Sequence, residues 1–220
     1  MIVVIDYGTG NLHSVAKALD SLGEEVVISN SSEVISKADR IVLPGVGSFE
    51  QGMKNLRQLG LIKVLEEEVL NKKKPFLGIC LGMQLLAESG EECENGSCKG
   101  LGWIPFTVKK FSFQKENELH LRIPHMGWDN LEFDSKHFFF HKTIPQAAFY
   151  FVHSYHLSAA TEKKSDAEKM IISSCNYGYK FPAVIQHENI LATQFHPEKS
   201  QREGLNLLKN FLAWNPNKTK

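Results

Sequence analysis

The 220-residue sequence predicts an α/β fold: an open, mostly parallel sheet flanked by helices, with antiparallel strands added in the second half. Three observations predict it. Short apolar runs alternate with stretches of helical periodicity up to about position 90, as repeated βα units require. Beyond position 107 the pattern changes to short β-rich pieces with turns between them. The length suits one α/β domain, and a single domain over residues 1–220 is expected.

The elements follow in order. Residues 2–5 form an apolar run, read as the first buried strand. A loop, Asp6 to Asn11, leads into a helix with Leu12, Val15, Ala16, Leu19 and Leu22 on one face, and Gly23 is a helix stop. Residues 25–29 and 41–43 read as the next strands. The third runs into Pro44-Gly45-Val46-Gly47-Ser48-Phe49, whose Gly-x-Gly lacks the third Gly and the Lys-Ser/Thr of a phosphate loop. It is read instead as backbone approaching a substrate closely. Residues 61–70 read as an amphipathic helix ended by a solvated Lys72-Lys73-Lys74 run, and 76–79 as a central strand after Pro75. A helix is expected from 81 to 87 and a loop over 91–100.

In the second half, 149–157 is aromatic and β-branched, as one strand should be. Phe138–Phe140 reads as core and 162–168 as a solvated charged turn. Residues 183–186 and 191–195 read as a hairpin around His187-Glu188-Asn189. The last helix, 203–212, is expected to bury Leu205, Leu208 and Leu212, ahead of a frayed polar tail at 215–220.

Composition excludes several functions. Lys+Arg and Asp+Glu both total 25, so no basic excess suggests nucleic acid. No stretch is long and apolar enough for a membrane helix, and the N-terminus lacks the features of a secretory signal. A cytoplasmic location is expected, with no disulfide among Cys80, Cys93, Cys98 and Cys175. Cys93 and Cys98 have no second Cys or His pair at zinc spacing, so no metal is expected.

One cysteine stands apart. Cys80 lies where the 76–79 strand meets the next helix, with Gly78 and Gly82 two residues away on either side. A sharp strand-to-helix turn needs small neighbours, and this is the nucleophile-elbow pattern with Cys in place of Ser. A helix N-terminus there would favour the thiolate. Far along the chain, His196-Pro197-Glu198 follows the last strand. Pro197 biases His196 to extended backbone, so His196 and Glu198 can lie side by side as an imidazole base and its orienting carboxylate. Open α/β sheets gather active residues at the carboxyl ends of strands, where both motifs fall. Each alone is also compatible with an ordinary buried Cys or an ordinary turn.

Together, Gly78-Ile79-Cys80-Leu81-Gly82-Met83-Gln84 and His196-Pro197-Glu198 resemble the two signatures of class I, triad-type glutamine amidotransferases. Asp6-Tyr7-Gly8-Thr9-Gly10-Asn11, the Pro44 to Phe49 segment and Pro124-His125-Met126-Gly127-Trp128 narrow the resemblance to the glutaminase subunits of imidazole glycerol phosphate synthases. It covers nearly the whole chain. Two positions depart from the pattern: Asp129, where Asn is commoner, and His156, where Arg or Tyr is frequent.

The resemblance implies glutamine hydrolysis by a Cys80, His196 and Glu198 triad. It implies an oxyanion hole from the Leu81 and Val46 N–H groups, and glutamine contacts at Gly47, Gln84, Ser154 and Tyr155. It further implies no cofactor and a heterodimer with a (β/α)8-barrel cyclase. Asn11, Pro124, Trp128, Tyr150 and Lys199 would then lie at the interface and ammonia passage. Other readings remain: a paralogue feeding ammonia to a sugar amidotransferase, a peptidase or γ-glutamyl hydrolase, or a binding protein that kept the fold.

Overall fold

A computed structural model describes residues 1–113 and 121–216. The first half is built from β1 (Ile2–Ile5), α1 (Leu12–Asp20), β2 (Val26–Ser29), α2 (Ser32–Lys37), β3 (Arg40–Gly45), α3 (Phe49–Gln58), α4 (Leu61–Leu65), β4 (Phe76–Cys80) and α5 (Leu81–Gln84). There follow β5 (Ala87–Gly90), β6 (Cys98–Lys99), β7 (Ile104–Lys110), β8 (His125–Asn130), β9 (Glu132–Phe133), β10 (Ala148–His153) and β11 (Tyr155–Ala159). The chain closes with α6 (Lys164–Met170), β12 (Ile171–Tyr177), β13 (Tyr179–His187), β14 (Ile190–Thr193) and α7 (Gln201–Ala213).

The main sheet runs β2-β1-β3-β4-β14-β13-β12-β9. Its first five strands are parallel and its last three join antiparallel. This is the α/β arrangement the periodicity predicts, with β4 at the centre and its residues Phe76 to Cys80 all buried. A four-stranded sheet, β11-β7-β5-β6, and a two-stranded ribbon, β10-β8, stand beside it. Apolar side chains bury on both faces of the main sheet, in two clusters. Among the described residues no helix is long and apolar enough to cross a membrane.

Several elements differ from the sequence reading. The helix after Cys80 is one turn, and Ala87–Gly90 is a strand. The Leu85 and Leu86 carbonyls, which would continue that helix, accept instead from the N–H groups of Leu101, Trp103 and Ile104. Residues 149–157 are two strands that separate at Ser154 and pair with different partners, β10 with β8 and β11 with β7. Residues 162–168 form most of a 3-10 turn and α6, which buries Ala167. Helix α3, unread in the sequence, is capped by the Ser48 hydroxyl accepting from Gln51 N–H and buries Phe49, Met53 and Leu56. Helix α2, also unread, buries Ile35. The stretch over 61–70 is helical, but its second part, Glu66–Asn71, is π-helical. Helix α7 buries Leu207, Leu208 and Phe211, while Leu205 and Leu212 are half-buried.

Two charge and redox expectations also change. The Lys72 to Lys74 run is not simply solvated, since Lys72 and Lys74 ion-pair with Glu68, whose side chain is 1% exposed. Cys93 and Cys98 form a disulfide across the 91–100 loop, contrary to the expectation of none. The loop turns back on itself through β5 and β6, which brings the two sulfurs together. Of the expected polar tail, residues 217–220 lie outside the described residues.

Candidate active site

Strand β4 delivers Cys80 with φ 53° and ψ −108°, a backbone conformation that costs a non-glycine residue about 1–3 kcal/mol. The surroundings hold it there by close backbone approach. A Cβ on Gly82 would sit 1.8 Å from the Leu43 carbonyl oxygen, and one on Gly78 would sit 2.9 Å from the Gly82 oxygen. A Cβ on Gly45, the register partner of Cys80, would lie 2.0 Å from the Tyr7 hydroxyl. Glycine at these positions lets β3, β4 and α5 converge. Because α5 is a single turn, its dipole lends the sulfur less support than a long helix would.

The imidazole comes from the neighbouring strand: β14 lies parallel to β4, and His196 follows its carboxyl end as Cys80 ends β4. His196 is extended (φ −98°, ψ 97°), and the following 3-10 turn Pro197–Lys199 carries Glu198 back beneath it. A turn, not a strand, therefore brings the two side chains together, with His196 Nδ1 2.8 Å from Glu198 Oε1. Both are nearly fully buried. The backbone is pinned on two sides. His196 N–H donates to the Tyr150 carbonyl at 2.9 Å, and the Ser200 hydroxyl donates to the His196 carbonyl at 2.6 Å. Burial alone would lower the imidazole, but the charge of neighbouring Cys80, then the hydrogen bond and charge of Glu198, outweigh it and raise His196 to about 10. At neutral pH the ring is thus held as an acid beside the sulfur. Its Nε2 is buried and makes no hydrogen bond among the described residues.

A cleft of about 540 Å³ opens over Cys80. One wall is Val46, Gly47, Ser48, Leu81, Gln84 and Glu92, and the other is Pro124, Val152, His153, Ser154, Tyr155 and Lys199. Gly47 has φ +105°, a value that suits glycine. Gln84 is 4% exposed, so it is not a surface helix residue. Its amide donates to the Tyr155 carbonyl at 2.8 Å and to Gln194 Oε1 at 3.0 Å.

The cleft thus gathers Cys80, Leu81, Val46, Gly47, Gln84, Ser154, Tyr155, Pro124 and Lys199. Tyr150 and Trp128 lie beside it, with Lys199 Nζ 5.7 Å above the Tyr150 ring and the Trp128 ring 5.9 Å from Tyr150. Trp128 is 46% exposed, which removes a core role for it. Asn11 does not line the cleft; its carbonyl caps the start of α1.

Three residues in or against the cleft escaped the sequence reading. Gln194 is fully buried and donates to Cys80 Sγ at 3.7 Å. A lone amide inside an apolar strand-end run was its available signal. Glu92 faces the cleft and accepts from Phe49 N–H at 2.8 Å. Burial raises its carboxyl. His153 alternates inward along β10. Among the described residues no three His, Cys, Asp or Glu side chains converge as metal ligands.

A sulfur nucleophile on a strained elbow, an imidazole beside it that carries a proton, and a buried carboxylate form a set able to attack an acyl carbon and protonate the leaving group. The cleft beside it offers both acidic and amide groups.

Comparison with known proteins agrees with this chemistry. The family model for glutamine amidotransferase class-I matches residues 3–214. The imidazole glycerol phosphate synthase subunit HisH 1 of Campylobacter jejuni is 48% identical, over 96% of this chain and 99% of the relative. Subunit HisH of Acinetobacter baylyi is 44% identical, over 97% of this chain and 98% of its own length. Among solved structures, a glutamine amidotransferase superposes with a TM-score of 0.68 at 18% identity, covering 97% of this chain and 98% of that one. PurLQS from Thermotoga maritima gives 0.67 at 15%, covering 96% of this chain and 97% of that one, and these two likenesses concern the fold alone. Matched along almost its whole length by both the family model and these relatives, the chain belongs to the class-I glutamine amidotransferases and, within them, to the HisH family.

Proposed function

We propose that this chain is the glutamine amidotransferase subunit of an imidazole glycerol phosphate synthase, a single domain over residues 1–220. The observation that carries the reading is Cys80 on its elbow next to the His196–Glu198 pair, at the floor of a cleft sized for an amino acid.

The steps follow from the groups present. Glutamine enters with its side-chain amide toward Cys80, and Glu92 offers a carboxylate for its ammonium group. The sulfur, its proton already on His196, attacks the amide carbon, and the resulting oxyanion is taken by the N–H groups of Leu81 and Val46. The Leu81 N–H is one of the first in α5 and has no intrahelical acceptor. His196 gives its proton to the departing nitrogen, ammonia leaves, and a γ-glutamyl thioester remains on Cys80. Water, deprotonated by the now neutral His196, attacks the thioester, releases glutamate and returns the Cys80–His196 pair to its starting state, with the proton on His196. Glu198 holds the imidazole in orientation throughout. Gly47, Gln84, Ser154 and Tyr155 shape the glutamine subsite.

Ammonia in neutral water is mostly protonated and loses its nucleophilicity, so a sheltered route to a partner favours the reaction. The cleft mouth at Pro124 and Lys199 lies beside a surface where Ile123, Met126 and Trp128 are 39%, 62% and 46% exposed. Exposed apolar and aromatic groups of this kind suit a subunit interface. We assign that surface, with Tyr150 and Asn11, to a (β/α)8-barrel cyclase in a cytoplasmic heterodimer whose lyase reaction consumes the ammonia. A reducing cytoplasm would open the Cys93–Cys98 bridge, and the chemistry uses neither sulfur.

The test is reconstitution. Mixed with a histidine-pathway cyclase and its nucleotide substrate, the chain should make product formation depend on glutamine. Ammonium salt should support the cyclase alone. Product from ammonium but never from glutamine would refute the reading.

A further inference from the structure

A run of hydrogen bonds leads from the surface to the cleft through residues to which the glutaminase chemistry assigns no part. Asp129 Oδ2 lies 2.6 Å from His125 Nε2. His125 Nδ1 lies 3.1 Å from His153 Nε2, its register partner across β8 and β10. His153 Nδ1 lies 2.8 Å from the Tyr155 carbonyl oxygen. That oxygen also accepts from Gln84, and Gln84 in turn bonds Gln194 beside Cys80. Both imidazoles are buried, while the Asp129 side chain is 40% exposed.

Counting protons along the run exposes a deficit. Each of the three contacts from Asp129 to the Tyr155 carbonyl needs one hydrogen. An ionised carboxylate and a carbonyl only accept, and two neutral imidazoles supply one hydrogen each. Neutral rings therefore leave one contact unbridged. The carboxylate takes the His125 Nε2–H and makes His125 Nδ1 a stronger acceptor. That nitrogen then draws the single proton of His153, and the Tyr155 carbonyl is left facing a bare nitrogen.

We propose that Asp129, His125 and His153 are positioning residues for the glutamine subsite, and that their relay to Tyr155 closes only when it takes up one further proton. The cleft wall at Ser154 and Tyr155 is then held from behind as well as by Gln84. The inference rests on the glutaminase reading for its consequence, but not for its geometry.

The surroundings set the direction of the titration. His125 is stacked on the Tyr177 ring at 4.0 Å and is flanked by Phe151. Burial pushes it below its ordinary 6.5, with Asp129 pulling it back up. Burial pushes His153 well below its ordinary value, and His125, His156 and His196 add to the lowering. On the far side of Asp129 the neighbouring Cys175 thiol is pushed up to about 12, by burial first and then by that carboxylate, so it stays neutral. With both rings lowered, the added proton enters only below the ordinary imidazole range and is lost as pH rises. His196, raised to about 10, keeps its proton across that window.

Asp129→Asn is the discriminating change. An isosteric amide can donate to His125 Nε2, His125 to His153, and His153 to Tyr155, so all three contacts fill with neutral rings. Glutamine KM and kcat would be measured on the assembled complex from about pH 7.5 down to about pH 4.5, alongside imidazole nitrogen NMR of the chain over the same range. In the wild type KM should fall about three- to tenfold on acidification, roughly the worth of one internal hydrogen bond, with kcat changing less. The His125 and His153 nitrogens should gain one proton in step. In Asp129→Asn, KM should be low and flat, and that proton uptake absent. A variant that keeps the wild-type pH dependence of KM, or wild-type rings that take up no proton, would overturn the proposal. If no protein hydrolysed glutamine, the functional reading would fall while the NMR still judged the relay.

Discussion

The two walls of the cleft are built by different physics. The wall carrying Cys80 belongs to the parallel half, where β3, β4 and α5 meet through backbone approach. Its tolerances are steric, down to the 1.8 Å between a Gly82 Cβ and the Leu43 oxygen. The wall carrying Ser154 and Tyr155 is built from antiparallel strands, β10 on β8 and β11 on β7, and His196, at the end of parallel β14, is bonded into it through the Tyr150 carbonyl. It is held by polar bonds between distant residues, such as the His196 N–H to the Tyr150 carbonyl and Gln84 to the Tyr155 carbonyl. A steric wall fails all at once when a methyl group is added. A hydrogen-bonded wall should fail by degrees, because each bond contributes only about 0.5–1.5 kcal/mol net.

The largest effect should follow from Gly82→Ala. The added carbon overlaps backbone that cannot move aside, so the variant should lose all glutaminase activity and several kcal/mol of stability. A chemical melt and an activity assay check this. Near-normal values for both would show that the elbow is looser than its contacts imply.

On the opposite wall the losses should be graded. His196→Ala removes the proton carrier and should lower kcat by about 10²–10⁴-fold. Glu198→Gln loses charge support and orientation and should cost less, with the protein still folded. Rates in the assembled complex decide the order. A reversed order would mean that Glu198 does more than orient the ring.

A smaller effect is expected at the rim. Tyr150→Ala combined with Lys199→Ala removes the ring and the cation above it, and should weaken cyclase binding or its stimulation of glutamine hydrolysis. Cyclisation from ammonium should persist. Undiminished binding and nitrogen transfer would displace the interface from this face.

The smallest effect should be that of Cys93→Ser. It opens the disulfide in the loop that bears Glu92, and activity should stay within about twofold, since surface changes away from the reacting groups are usually slight. Complete loss of activity in a folded variant would place the loop's bridge in the chemistry.

The contrast between the walls also explains what the sequence reveals. Gly78, Cys80 and Gly82 are a local pattern, and the demand on Gly78 comes from Gly82 and Met83 close by, so the elbow is legible, while the Leu43 carbonyl that forbids a side chain at Gly82 lies on another strand. Ile2–Ile5 and Phe76–Cys80 are legible as strands for the same reason, each being a run of buried side chains. The break at Ser154 is not, because what splits the strand is pairing of its halves with β8 and β7. Helix length after Cys80 is misread likewise, since the carbonyls that would extend it are claimed from residues 101–104. Gln194 and Glu92 reach the site through tertiary contacts with Cys80, Gln84 and Phe49, which no spacing announces. The Cys93–Cys98 bridge depends on β5 pairing with β6, which the loop composition concealed.

The central claim is that a sulfur presented by one wall is activated by an imidazole from the other. Covalent trapping tests it most directly. The full chain would be incubated with an electrophilic glutamine analogue, and the modified residue located by peptide mass spectrometry. The account predicts one label per chain, on Cys80, protected by glutamine, slowed strongly in His196→Ala and absent in Cys80→Ala. Labelling that falls on Cys175, or that proceeds at Cys80 equally fast without His196, would contradict it.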